Sequence, residues 1–142
     1  MAETNLNQGL PEVPVEKWAV DLVSRFANAL IATCDEEINN SEDRRRVFLT
    51  FLFGAVNGIG FQQKMSPPQV HAVALAFLLK GLKLPVEESA EIAQFCINAT
   101  AKGHRWNASI HEGMDEFFVW QTNPKGFKPT RLLRVLQNAP KA

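Results

Sequence analysis

His111 and Asp115 stand four residues apart in the run His111-Glu112-Gly113-Met114-Asp115-Glu116, a spacing that puts both side chains on one face of a helix. Such a pair could bind a metal or share a proton, and it is the best chemical constellation in this chain of 142 residues. It is incomplete. The run is not HExxH, no spacing supplies a third ligand, and Gly113 sits where a ligand-bearing helix needs stiffness. An acidic helical turn with a histidine near its cap accounts for the same residues. His71 follows a helix cap in a very apolar stretch and is expected buried and hydrogen-bonded, while His104 in a Lys-Gly-His-Arg-Trp loop is expected exposed. These readings leave the chain with no catalytic residue, no metal and no cofactor. An acid/base or metal enzyme using His111 and Asp115 stands as the third functional reading.

Gly54-Ala55-Val56-Asn57-Gly58-Ile59-Gly60 invites comparison with phosphate-binding loops, but it matches neither GxGxxG nor the Gly-Lys-Ser/Thr of a P-loop. Close helix packing through Gly54 and Gly58 is the better account. Cys34 and Cys96 lie far apart without a CxxC spacing and read as buried free thiols. Arg44-Arg45-Arg46 reads as a solvated helical face with local ion pairs. The last third mixes basic and aromatic residues, and Arg105, Trp106, His111, Glu112, Asp115, Trp120, Lys128 and Arg131 are its candidate partner-binding residues.

The elements that position these residues are helices. Val15 to Cys34 carries apolar residues at three- and four-residue steps, followed by an acidic connection, Asp35 to Asn40. Ser41 caps a second helix that is apolar all round through Ile59, with a strand as the competing reading because Thr50, Phe51 and Phe53 suit one. Ser66-Pro67-Pro68-Gln69 is a capping box opening a third, again very apolar, helix that Gly81 would stop. A fourth opens at Pro85, a fifth near Asn107 or Ser109, and a sixth at Pro129-Thr130. In the fifth, Ile110, Met114 and Phe117 share a side and Glu112, Asp115 and Glu116 point elsewhere. The expected fold is all-α: one compact bundle of about six helices around two highly apolar central ones, over residues 15–138. Residues 1–14 read as a flexible arm and 139–142 as a short tail.

Formal net charge is zero, which lowers the expectation of nucleic-acid or membrane-surface binding. The order of the charges is uneven: residues 1–43 carry −7, 44–83 carry +6, 84–101 carry −3 and 102–142 carry +4. Opposed blocks either cancel inside the fold, the leading expectation, or form patches that steer a partner. The start Met1-Ala2-Glu3-Thr4-Asn5 lacks the features of a signal peptide, so a cytoplasmic location is expected. The longest uncharged run, Val47 to Gln63, includes polar residues and is too short for a membrane span.

Phe51-Leu52-Phe53-Gly54-Ala55-Val56, Ser66-Pro67-Pro68-Gln69-Val70-His71-Ala72 and Ile110-His111-Glu112-Gly113 with Phe117 and Trp120-Gln121 resemble the small all-α immunity proteins found beside bacterial polymorphic toxins. The resemblance covers about Val47 to Gln121. It implies a cytoplasmic, non-catalytic protein that binds a cognate toxin and occludes its active site. A helical module that self-associates into a homo-oligomer is the alternative from another class.

Overall fold

The computed structural model describes residues 12–138, with side chains from Glu16 onward. Among them are six helices and no strand: α1 Glu12–Ile38, α2 Glu42–Gln62, α3 Pro67–Ala76, α4 Val86–Ala99, α5 Asn107–Thr122 and α6 Thr130–Gln137. This is the expected all-α architecture, and the strand reading of the second element is replaced by α2. The expected tail and residues 1–11 of the expected arm lie outside the described residues. Residues 12–14 open α1, where Pro14 is tolerated because first-turn amides have no intrahelical acceptor. Helix α1 also runs past its expected end. Cys34 leaves helical geometry (φ −118°, ψ 15°), and a further turn continues to Ile38 beyond that kink, so most of the expected acidic connection is helical.

The caps form as their residue types require. Ser41 accepts the Arg44 amide N–H at 3.1 Å, with Glu42 and Asp43 in the first turn of α2. At α3 the Ser66 amide donates to the Gln69 side chain at 2.7 Å and the Gln69 amide donates back to the Ser66 hydroxyl at 3.4 Å. Helix α3 ends in a π-helical turn, Phe77–Gly81, closed by the Leu82 N–H on the Phe77 carbonyl at 3.0 Å. Helix α2 ends in a Schellman arrangement: the Met65 N–H reaches the Gly60 carbonyl at 2.8 Å and the Lys64 N–H reaches Phe61 at 3.4 Å. Lys64 therefore occupies the left-handed position (φ 54°) that glycine fills without cost. Lys64→Gly is expected to raise stability by about 1 kcal/mol, read as a higher denaturant midpoint with an unchanged m-value. An unchanged or lower midpoint would show that Lys64 is not strained there.

Helix α2 is the centre of the bundle and packs against each of the other five helices. It is buried from Val47 to Gly60 except at Leu49 and Asn57, which are half-buried. The other expected central helix, Pro67 to Leu79, is covered less completely: Val73 and Ala74 of α3 and Phe77 and Leu78 of its π-helical turn are buried. An all-apolar stretch names no face, so its sequence could not say how much of it would be covered. The inner neighbour of α2 is α5. Their backbones meet at two glycines, since a Cβ on Gly54 would clash with the Ile110 carbonyl and one on Gly113 would lie 2.6 Å from the Phe51 carbonyl carbon. The buried hydroxyls of Thr50 and Ser109 meet at 2.6 Å across the same seam. Against it lies an aromatic cluster in which Phe26 of α1 stands 5.4 Å from Phe117, 5.4 Å from Trp120 and 6.0 Å from Phe127 between ring centroids.

Candidate functional site

The candidate partner-binding residues are placed unevenly. Trp106 and Trp120 are each 7% exposed and belong to the core, so neither ring is offered to a partner. Trp120 completes the aromatic cluster, and Trp106 packs edge-on against Phe95 at 6.1 Å with the Arg105 guanidinium 4.6 Å from its ring centre. Sequence alone could not separate them from surface aromatics because Trp is amphipathic and suits both places. Arg105, His111, Asp115 and Lys128 are exposed, and Glu112 and Arg131 are half-buried. His111 and Asp115 stand on α5 as expected, but among the described residues no three His, Cys, Asp or Glu side chains gather where a metal could sit. His71 is half-buried on the wall of a groove rather than enclosed.

Glu112 and Glu116, one turn apart on α5, dock α6. Glu112 takes Arg131 Nη1 at 3.1 Å and Arg134 Nη2 at 3.2 Å, a partly exposed network. Glu116 was expected on the polar side, yet it is 2% exposed. Its Oε2 accepts the backbone N–H groups of Arg131 at 2.8 Å and Leu132 at 3.2 Å, donors at the start of α6 that its own residues leave uncapped. Burial pushes the Glu116 carboxyl above the usual carboxylate range; the Leu132 and Arg131 amides and the Arg131 charge pull it back, and Glu112 pushes it up again.

Burial likewise pushes the Cys34 thiol up to about 11, with Glu37 and Glu116 adding to the rise, and the Cys96 thiol up to about 12. Both are free and buried, as expected, and thiols held so high are poor nucleophiles near neutral pH. The arginine triplet divides. Arg45 and Arg46 are exposed as expected, but Arg44 is buried, and its Nε has no hydrogen-bond partner among the described residues.

Two grooves stand out among the described residues. The first, about 610 Å³, lies between the end of α1, the start of α2, the side chains of Leu82 and Leu84, and α4. Its walls include half-buried Ile31, Leu49, Leu82, Leu84, Ile92 and Phe95, and its charged residues are Asp35, Glu42, Glu88, Glu91, Arg45 and Arg46. Arg46 pairs with Glu42 at 3.2 Å and lies 5.6 Å from the Phe95 ring centre. The acidic blocks of residues 1–43 and 84–101 were visible as sequence, but not that they share this groove. The second, about 720 Å³, lies among α2, α3 and α4 and is mostly apolar, with Asn57, His71 and Thr100 its polar residues and Phe61 81% exposed at its edge.

In comparison with known proteins, a family model described as Immunity protein 48 matches residues 17–128. No curated protein and no solved structure matches the chain. The family match bears out the resemblance seen over Val47 to Gln121 and widens it at both ends. No helix among the described residues is long and apolar enough to cross a membrane. Because the match takes in both grooves and most of the helical body, from α1 to the loop before α6, the chain belongs to the Immunity protein 48 family.

Proposed function

We propose that this protein neutralises one cognate toxin by binding it in the bacterial cytoplasm, without catalysis. The observation that carries this reading is the family match across residues 17–128. Exposed charge supports it, since complementary patches speed association and reject wrong partners. The test is co-expression with the product of the adjacent toxin gene in a sensitive host, at graded ratios of the two proteins. A one-to-one binder protects in proportion to its amount and protects fully only at or above equimolar expression. Protection at a small fraction of the toxin's amount would mean that the protein turns over and would end the non-catalytic reading. Absence of both protection and a co-purifying complex would end the toxin reading itself. Self-association is the second reading, favoured by exposed Phe61. It requires a mass that rises with concentration in light scattering, so a constant monomer mass excludes it.

A further inference from the structure

The fold carries opposed charges into two different situations. On the basic side, Arg131 and Arg134 are both held by Glu112, so part of that charge is already answered within the chain. At the groove between α1, α2 and α4 the pairing of Arg46 with Glu42 leaves Asp35, Glu88 and Glu91 against the single cation Arg45. Asp35 accepts a hydrogen bond from the Asn39 side chain at 3.0 Å, and none of these three carboxylates has an ion-pair partner among the described residues. They come from segments more than fifty residues apart, so their meeting is a product of the tertiary fold. Between them the wall is apolar and incompletely covered, with Leu49, Ile92 and Phe95 half-buried.

An apolar depression bordered by excess negative charge selects a particular chemistry. The apolar part favours a side chain that can be desolvated, and the unanswered carboxylates favour lysine or arginine beside it while repelling acidic segments. We propose that this groove is where the cognate toxin docks, through a cationic segment of its surface that sets an apolar side chain between α2 and α4. The proposal rests on the toxin-binding reading given above and adds the face and the charge of the partner. It also makes association sensitive to salt, because rim charges act mainly through the encounter rate.

The experiment titrates the full chain with the toxin from the adjacent gene by calorimetry at low and high salt, using wild type, Glu88→Lys/Glu91→Lys and Glu88→Gln/Glu91→Gln. Both glutamates are exposed, so the variants should keep the wild-type circular dichroism, with a melting shift limited to the loss of the Glu88 charge from the first turn of α4. The reversal is expected to weaken binding about 30-fold and to flatten its salt dependence, with the neutral pair in between. Equal affinity of all three proteins overturns the groove while leaving toxin binding intact. Loss in Lys128→Glu or Phe61→Asp, with none in the Glu88/Glu91 variants, assigns the contact to the basic side or the second groove and overturns it as well. Failure of the wild type to bind or protect removes the neutralisation reading and this proposal together.

Discussion

Gly113→Ala is expected to destabilise the protein by about 3 kcal/mol, measured as a fall in the denaturant midpoint at constant m-value. In an exposed helix the same change would gain up to about 1 kcal/mol of helix propensity. Here the added methyl would lie 2.6 Å from the Phe51 carbonyl carbon and 2.8 Å from its Cα, atoms of a helix backbone that cannot rotate away. The two helices must then separate, opening the seam that holds Thr50 against Ser109. Gly54→Ala meets the backbone of Ile110 and Met114 and should behave alike. Gly58→Ala is the internal control, because its neighbours are side-chain atoms of Phe118 at 3.1 Å and Met114 at 3.3 Å, which can move. It should lie within about 1 kcal/mol of wild type. If Gly113→Ala matched Gly58→Ala, the backbone contact between α2 and α5 would be refuted.

Glu116→Ala is expected to cost about 2 kcal/mol, because it leaves the Arg131 and Leu132 amides at the buried start of α6 without their acceptor. Amide exchange in α6 should rise more than elsewhere. Glu116→Gln keeps an acceptor oxygen and removes the charge, so it separates the two roles of the side chain. The sign of the pH effect follows from burial, which raises the folded-state pKa of Glu116 above its unfolded value. Between those values the folded state holds a proton that the unfolded state has released. The stability this provides is fully present below the unfolded pKa and is lost as pH rises through the folded pKa. Wild type should therefore lose stability relative to Glu116→Gln as pH climbs from the ordinary carboxyl range, about 4.3, toward neutrality. Parallel pH profiles for the two proteins would show that the carboxyl is not desolvated.

Local chemistry is legible in the sequence because it acts over three or four residues. Ser41 and Ser66 cap their helices through amides three positions on, and the apolar spacing in α1 and α4 needs no distant partner to be recognised. The stretch from about Val47 to Gln121 carried the family resemblance for the same reason: its helix starts and apolar runs are strings that can be compared directly. Gly54 could be read as a packing glycine, yet nothing local named Gly113 as the residue that meets the backbone of Phe51. Trp106, Trp120 and Glu116 were misplaced or left open because their environment is supplied by other helices. A carboxylate on α5 becomes buried only because the uncapped start of α6 reaches it from fifteen residues away.

By itself, then, the sequence determined that this is an all-helical member of an immunity-protein family, with helix starts, turns and a charge order that can be named residue by residue. Tertiary structure alone decided which apolar helix is central, which charges are answered within the chain, and that two acidic blocks face one groove. The division follows the range of the forces. Capping and periodicity are set within a turn of the chain, whereas burial and electrostatic compensation depend on which surfaces meet after it folds.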